Sequence, residues 1–177
     1  MILIAACAVV ALACVLASAR RLRFAAVPTT LDPKMLSDAA KGAPFEIVAR
    51  AIERVPDATW EKNLIAAMKL EGPMRAGEIN EQLLEVEWLA NRWARVPRVC
   101  ASIATSVGFL LGTLALRQGL LDPNLEGIDE LIMRSVNVLA VGIAGAMFCV
   151  AVHFRAGKIA KGRLADVDAL VEKLEKK

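Results

Sequence analysis

Residues 95–117 read RVPRVCASIATSVGFLLGTLALR, an apolar run bounded by arginines that nevertheless carries Ser102, Thr105, Ser106 and Thr113. Between Val99 and Leu116 there is no charged side chain. As a helix this segment is about 27 Å long at 1.5 Å per residue, close to the ~30 Å hydrocarbon thickness of a bilayer. Two further runs have the same character, Met1–Ala19 and Val136–Phe154. With 56% hydrophobic residues and a mean hydropathy of +0.49, the chain reads as an integral membrane protein rather than a soluble domain.

The charges beside the runs give the orientation. Arg20, Arg21 and Arg23 follow the first, Arg92, Arg95 and Arg98 precede the second, and Arg155, Lys158, Lys161 and Arg163 follow the third. The connection between the second and third carries Asp122, Glu126, Asp129 and Glu130 against two arginines. The positive-inside rule therefore puts the N-terminus outside and the C-terminus in the cytoplasm. The expected plan is span one at 1–19, a cytoplasmic helical segment at 20–98, span two at 99–116, a short external loop at 117–135, span three at 136–154 and a cytoplasmic helical tail at 155–177. The basic residues follow the first run instead of preceding it, which favours an uncleaved anchor over a signal peptide.

The segments expected in water read as helices, so the fold class is all-α. Asp32-Pro33 forms an N-cap and first-position pair, and Pro44 opens a helix whose Phe45, Val48, Ile52 and Val55 recur at three and four. A third helix carries Trp60, Leu64 and Ala67 or Met68 and is expected to stop at Gly72-Pro73. From Gly77 the apolar positions Ile79, Leu83, Val86, Ala90 and Trp93 step by four, three, four and three. They predict one long helix that rises into span two with a bend at Pro97. In the tail, Leu164, Val167, Leu170 or Val171, and Leu174 share one face, so span three is expected to continue as a long helix into the cytoplasm.

Catalytic chemistry has little to build on. Glu78, Glu81, Glu85 and Glu87 read as a solvated helix face, and no nucleophile or ligand set accompanies them. Cys7, Cys14, Cys100 and Cys149 lie in or beside apolar runs, where thiols pack as small hydrophobes, and their spacing fits neither a zinc nor a redox site. His153, the only histidine, falls at the expected cytoplasmic interface. The reading is a non-enzyme without cofactor or metal; its basic residues lie beside the spans, not in a patch suited to nucleic acid.

The hydroxyls of span two are not scattered. Taking Ser102 as zero on a helical wheel, Thr113 falls at about 20°, Ser106 at about 40°, Phe109 at about 340° and Thr105 at about 300°. Ala101, Gly108 and Gly112 fall at about 240° to 280°, a small-residue face that lets helix backbones approach. A buried hydroxyl can bond back to the carbonyl a turn earlier, so one alone demands no partner. Several aligned on one face argue for a polar interface or a pore lining. Span three adds Asn137, and with Gly142, Gly145 and Ala146 a second close-packing face.

This plan resembles the MotA/TolQ/ExbB proton-channel family. RVPRVCASIATSVGFLLGTLAL is similar to the family's second span, where a glycine precedes a glycine-threonine pair, here Gly108, Gly112 and Thr113. NVLAVGIAGAMFCVAVHFRAGK is similar to its third span and cytoplasmic exit. The resemblance implies a ring-forming subunit of a pentameric stator in the bacterial inner membrane, surrounding single-span partners of the ExbD/TolR type. It also implies that the partner's membrane aspartate carries the proton along a threonine-lined path. Thr113 matches the threonine of span two, whereas Val141 stands where the family has the threonine of span three, and an isopropyl group cannot relay a proton. The pore-lining set implied is Thr113, Ser106, Ser102, Thr105, Val141 and Asn137, and the packing set is Gly108, Gly112, Gly142 and Gly145. A non-conducting membrane scaffold with the same fold is the alternative.

Overall fold

The computed structural model describes residues 2–121 and 127–175. It is all-helical, 86% helix, with no strand among the described residues. The elements are α1 (Ile2–Ala26), α2 (Pro33–Gly42), α3 (Phe45–Glu53), α4 (Thr59–Met68), α5 (Pro73–Asn91), α6 (Val96–Leu120) and α7 (Ile128–Glu175). Asp122 and Glu126, two of the acidic residues of the expected external loop, lie outside the described residues. The chain divides into two compact units, one of residues 1–22 and 93–155, the other of residues 23–92 and 156–177.

The first unit holds the apolar parts of α1, α6 and α7. The most apolar windows of the three long helical stretches have mean hydropathies of 2.8, 1.9 and 2.1, and only 22%, 33% and 28% of those windows is buried by the chain itself. Most of each apolar surface is therefore left to another apolar phase, as in a membrane protein. Inside the unit the helices meet through small side chains. Cys7, Ala11, Cys14 and Ser18 form a buried seam on α1 with steps of four, three and four, the spacing of close, nearly parallel helix packing. Cys14 packs with Cys100, Ala101 and Ala104 of α6 and with Ala146 and Cys149 of α7. Nearer the other end, Cys7 packs with Ala115 and Val138, and its thiol donates to the Val138 carbonyl at 3.5 Å. All four cysteines are free and buried.

The second unit is built by α2 to α5 and the 156–175 segment of α7. Its larger core joins Trp60, Leu64 and Met68 of α4, Ile79 and Val86 of α5, and Val167, Leu170, Val171 and Leu174 of α7. A smaller one joins Val48, Ala49 and Ile52 of α3 with Ala58 and Ile65. The Trp60 indole N–H donates to the Gln82 carbonyl at 2.9 Å, inside the larger core. Asp32 caps α2, its Oδ1 accepting from the Lys34 backbone N–H at 3.0 Å and from Arg163 Nη1 at 2.8 Å. Glu61 is 1% exposed, with Oε1 accepting from the Leu31 N–H at 2.7 Å.

Two local expectations are corrected. Gly72-Pro73 opens α5 instead of merely closing the helix before it: Gly72 sits at φ 70°, Pro73 in the first turn, and α5 starts four residues earlier than Gly77. Glycine adopts that φ without Cβ strain, and proline's fixed φ suits a first helical position. The single long helix expected from Gly77 into span two, bent at Pro97, is instead divided into two. α5 ends at Asn91, Arg92 turns extended at ψ 132°, and α6 begins at Val96 with Pro97 in its first turn. In a continuous helix the Pro97 ring would strike the carbonyl of Trp93, four residues earlier. Trp93 instead takes a left-handed φ of 67°, and Pro97's missing N–H falls where helix donors have no partner in any case.

Candidate functional site

The helix that carries the hydroxyls is oriented by its glycines. A Cβ built on Gly142 would lie 2.7 Å from Gly108 Cα and 2.8 Å from the Ala104 carbonyl oxygen, so α6 and α7 touch backbone to backbone there. Gly145 brings α7 close to α1, where an added Cβ would lie 2.7 Å from Ala11 Cβ and 3.3 Å from Ala11 Cα. At Gly112 an added Cβ would sit 3.4 Å from the Ser135 carbonyl oxygen, and the Ser135 hydroxyl donates to the Gly112 carbonyl at 2.8 Å. Such approaches bring main chains within van der Waals contact, the main source of helix affinity where no water is expelled.

With the Gly108 face turned into the unit, the polar stripe is turned away from it. On a wheel centred on Gly108, Ser102, Thr113 and Ser106 lie at about 120°, 140° and 160°. All three are exposed, as is Phe109 at 53%. Thr105, at the edge of the buried face, is half-buried and donates to the Ala101 carbonyl at 3.0 Å. Thr113 donates to the Leu110 carbonyl at 2.8 Å. With that hydrogen committed, the oxygen of Thr113 presents lone pairs outward and acts as an acceptor. On α7, Asn137 is exposed and Val141 half-buried, the latter packed beside the Cys7, Ala115 and Val138 cluster.

The sequence reading overlooked Ser135. It begins the line of small residues that continues through Gly142 and Gly145, and its hydroxyl supplies a hydrogen bond between α7 and α6. Stepping the same line back by sevens from Gly142 finds it. The α1 seam was legible only as four separate small residues, because nothing in α1 shows which face meets the glycines of α7. His153 stacks edge-on to Phe154 with ring centroids 5.8 Å apart. No set of three or more histidine, cysteine or carboxylate side chains with metal-holding geometry occurs among the described residues.

The arrangement defines a class: an all-helical membrane protein with three helices long and apolar enough to cross a bilayer, packed through small residues, with a row of hydroxyls on an outward face. No protein-family model matches the chain, and neither a curated protein nor a solved structure matches it.

Proposed function

We propose that this chain is a ring-forming subunit of an ion-driven stator or transport complex in a bacterial inner membrane, with the N-terminus outside and residues 20–98 and 155–177 in the cytoplasm. The observation that carries the reading is the outward hydroxyl row. A polar stripe is costly to leave against lipid tails, and helices in bilayers turn such groups towards protein or a water-filled cavity. The chain's own packing does not cover this one, so neighbouring copies or a partner helix would.

In that assembly Ser102, Ser106 and Thr113 line the lumen side of α6, with Asn137 and Val141 nearby on α7. No Asp, Glu, Lys or Arg lies within residues 99–116 or 136–154, so the titrating group belongs to a single-span partner carrying a membrane carboxylate. Thr113, as a fixed acceptor, receives a hydrogen bond from that carboxyl when it is protonated and offers none when it is ionised. The two protonation states then differ in affinity for the ring, which is what a proton-driven movement requires.

The test is Thr113→Val in cells and in reconstituted vesicles with the cognate single-span partner. The variant keeps volume and removes the acceptor, so proton-dependent activity is expected to fall at least tenfold with assembly unchanged; full activity overturns the mechanism. A second reading, a scaffold of the same architecture that does not conduct, is favoured by Val141 at the place of the second family threonine. Under that reading the valine substitution leaves function intact while disruption of the glycine contacts abolishes it.

A further inference from the structure

We infer that the cavity at the end of the membrane-type unit where α1 begins and α6 ends holds a zwitterionic phospholipid of the ethanolamine class, with its phosphate on Arg134 and its ammonium beside Glu130. The inference rests on the three helices crossing a bilayer and is independent of whether the chain forms a ring. In the orientation proposed above, this end lies in the outer leaflet.

The cavity has a volume of about 350 Å³, and its walls include Leu3 and Ile4 of α1, Ala115 and Gln118 of α6, and Arg134 and Val138 of α7. That is the size of a small-ligand pocket, about 300–1,000 Å³, and it suits the glycerol end of a lipid whose chains continue along the exposed apolar surface. Its lining is graded with depth. Ala115 and Val138 meet Cys7 at the inner end, whereas Gln118 and Arg134 lie about one turn further out on their helices. Both polar residues stand two positions beyond the uncharged runs 99–116 and 136–154, about 3 Å past the hydrocarbon edge and at the level of lipid headgroups. An apolar floor below a polar mouth at that height matches an amphiphile held upright in the bilayer.

The charges at the mouth select the headgroup. Arg134 Nη2 donates to Glu130 Oε1 at 3.0 Å. This takes one of the five N–H donors of a guanidinium, whose planar fork suits a phosphate. With Glu130 beside it, the mouth carries one charge of each sign rather than a net cation. A headgroup with both a phosphate and a primary ammonium is complementary to both, whereas phosphatidylglycerol offers only an anion and sets it near the Glu130 carboxylate. Of the other described charges at this end, Asp129 lies about 140° round α7 from Arg134, and Arg117 about 100° round α6 from Gln118, so both face elsewhere. Gln118 is itself about 140° round α6 from Thr113, so the lipid and the hydroxyl row occupy different faces of the helix.

The experiment is native mass spectrometry of the delipidated full chain in mild detergent. It is titrated with phosphatidylethanolamine, with phosphatidylglycerol of the same acyl chains, and with glycerophosphoethanolamine, which is the headgroup without chains. The wild type is expected to hold phosphatidylethanolamine at least tenfold more tightly than either of the others. Arg134→Gln is expected to weaken that binding at least tenfold at wild-type helicity, and Glu130→Gln to erase the preference between the two lipids. Arg117→Gln, at the same end but on another face, is expected to leave binding unchanged. Equal affinity of the wild type for the two lipids overturns the headgroup match, and tight binding of the chainless headgroup reduces the site to one for a free phosphate ester. Unchanged binding in Arg134→Gln, or an equal loss in Arg117→Gln, overturns the site. Should Arg134→Gln lose helicity, the lipid preference of the wild-type chain decides by itself.

Discussion

Gly142→Ala adds one methyl group at the tightest backbone crossing in the membrane-type unit. The new Cβ would stand 2.7 Å from Gly108 Cα and 2.8 Å from the Ala104 carbonyl oxygen. Carbon atoms pack best at about 3.5–4.0 Å, so the helices must part by roughly 1 Å or distort. Both obstacles are main-chain atoms, and no rotamer change relieves them. Overpacking of this kind costs about 1–3 kcal/mol, set against a helix-propensity gain of about 1 kcal/mol for alanine over glycine. Gly112→Ala is the internal control. It lies in the same unit and brings the same gain, but its Cβ meets the Ser135 carbonyl oxygen at 3.4 Å and Leu139 Cβ at 3.8 Å, near ordinary contact. The propensity term cancels between the two, leaving Gly142→Ala less stable than Gly112→Ala by about 1–3 kcal/mol. Stepwise addition of sodium dodecyl sulfate to the protein in mixed micelles, followed by circular dichroism, measures the difference. Equal midpoints for the two variants would refute the backbone contact between α6 and α7.

Three substitutions at two positions, Trp60 and Asp32, examine the second unit. Trp60→Phe keeps most of the ring in the core but removes the donor to the Gln82 carbonyl, and is expected to cost about 1–3 kcal/mol in urea unfolding followed by helicity; an unchanged midpoint removes that bond from the account. Asp32→Ala loses both the α2 cap and the acceptor for Arg163, at about 1–2 kcal/mol. Asp32→Asn keeps a capping oxygen and gives up mainly a partly exposed ion pair, at under about 1 kcal/mol. Amide exchange in the first turn of α2 should accelerate more in the alanine variant, and equal acceleration in the two variants would show that the Arg163 pair, not the cap, holds this junction.

The order of residues settles what is local and periodic. Uncharged runs of bilayer length mark the three membrane-type helices, Asp32-Pro33 marks the start of α2, and Val167, Leu170 and Leu174 at helical spacing mark the face of α7 that enters a core. Each follows from forces acting within a few turns: hydropathy over a window, a cap satisfying its own helix, an apolar stripe at 3.6 residues per turn. Features that depend on a partner across space emerge only in the fold. The span-two wheel contains two distinctive faces, small and hydroxylated, and only the meeting of Gly108 with Gly142 turns the first inward and leaves Ser102, Ser106 and Thr113 outward. The role of Cys7, Ala11, Cys14 and Ser18 as one seam, and of Ser135 as a bond between helices, likewise appears only when a second helix supplies the contact. The break before Pro97 was foreshadowed by the proline, but the apolar stepping through Trp93 argued for continuity, and steric conflict with the Trp93 carbonyl outweighs the period of the pattern.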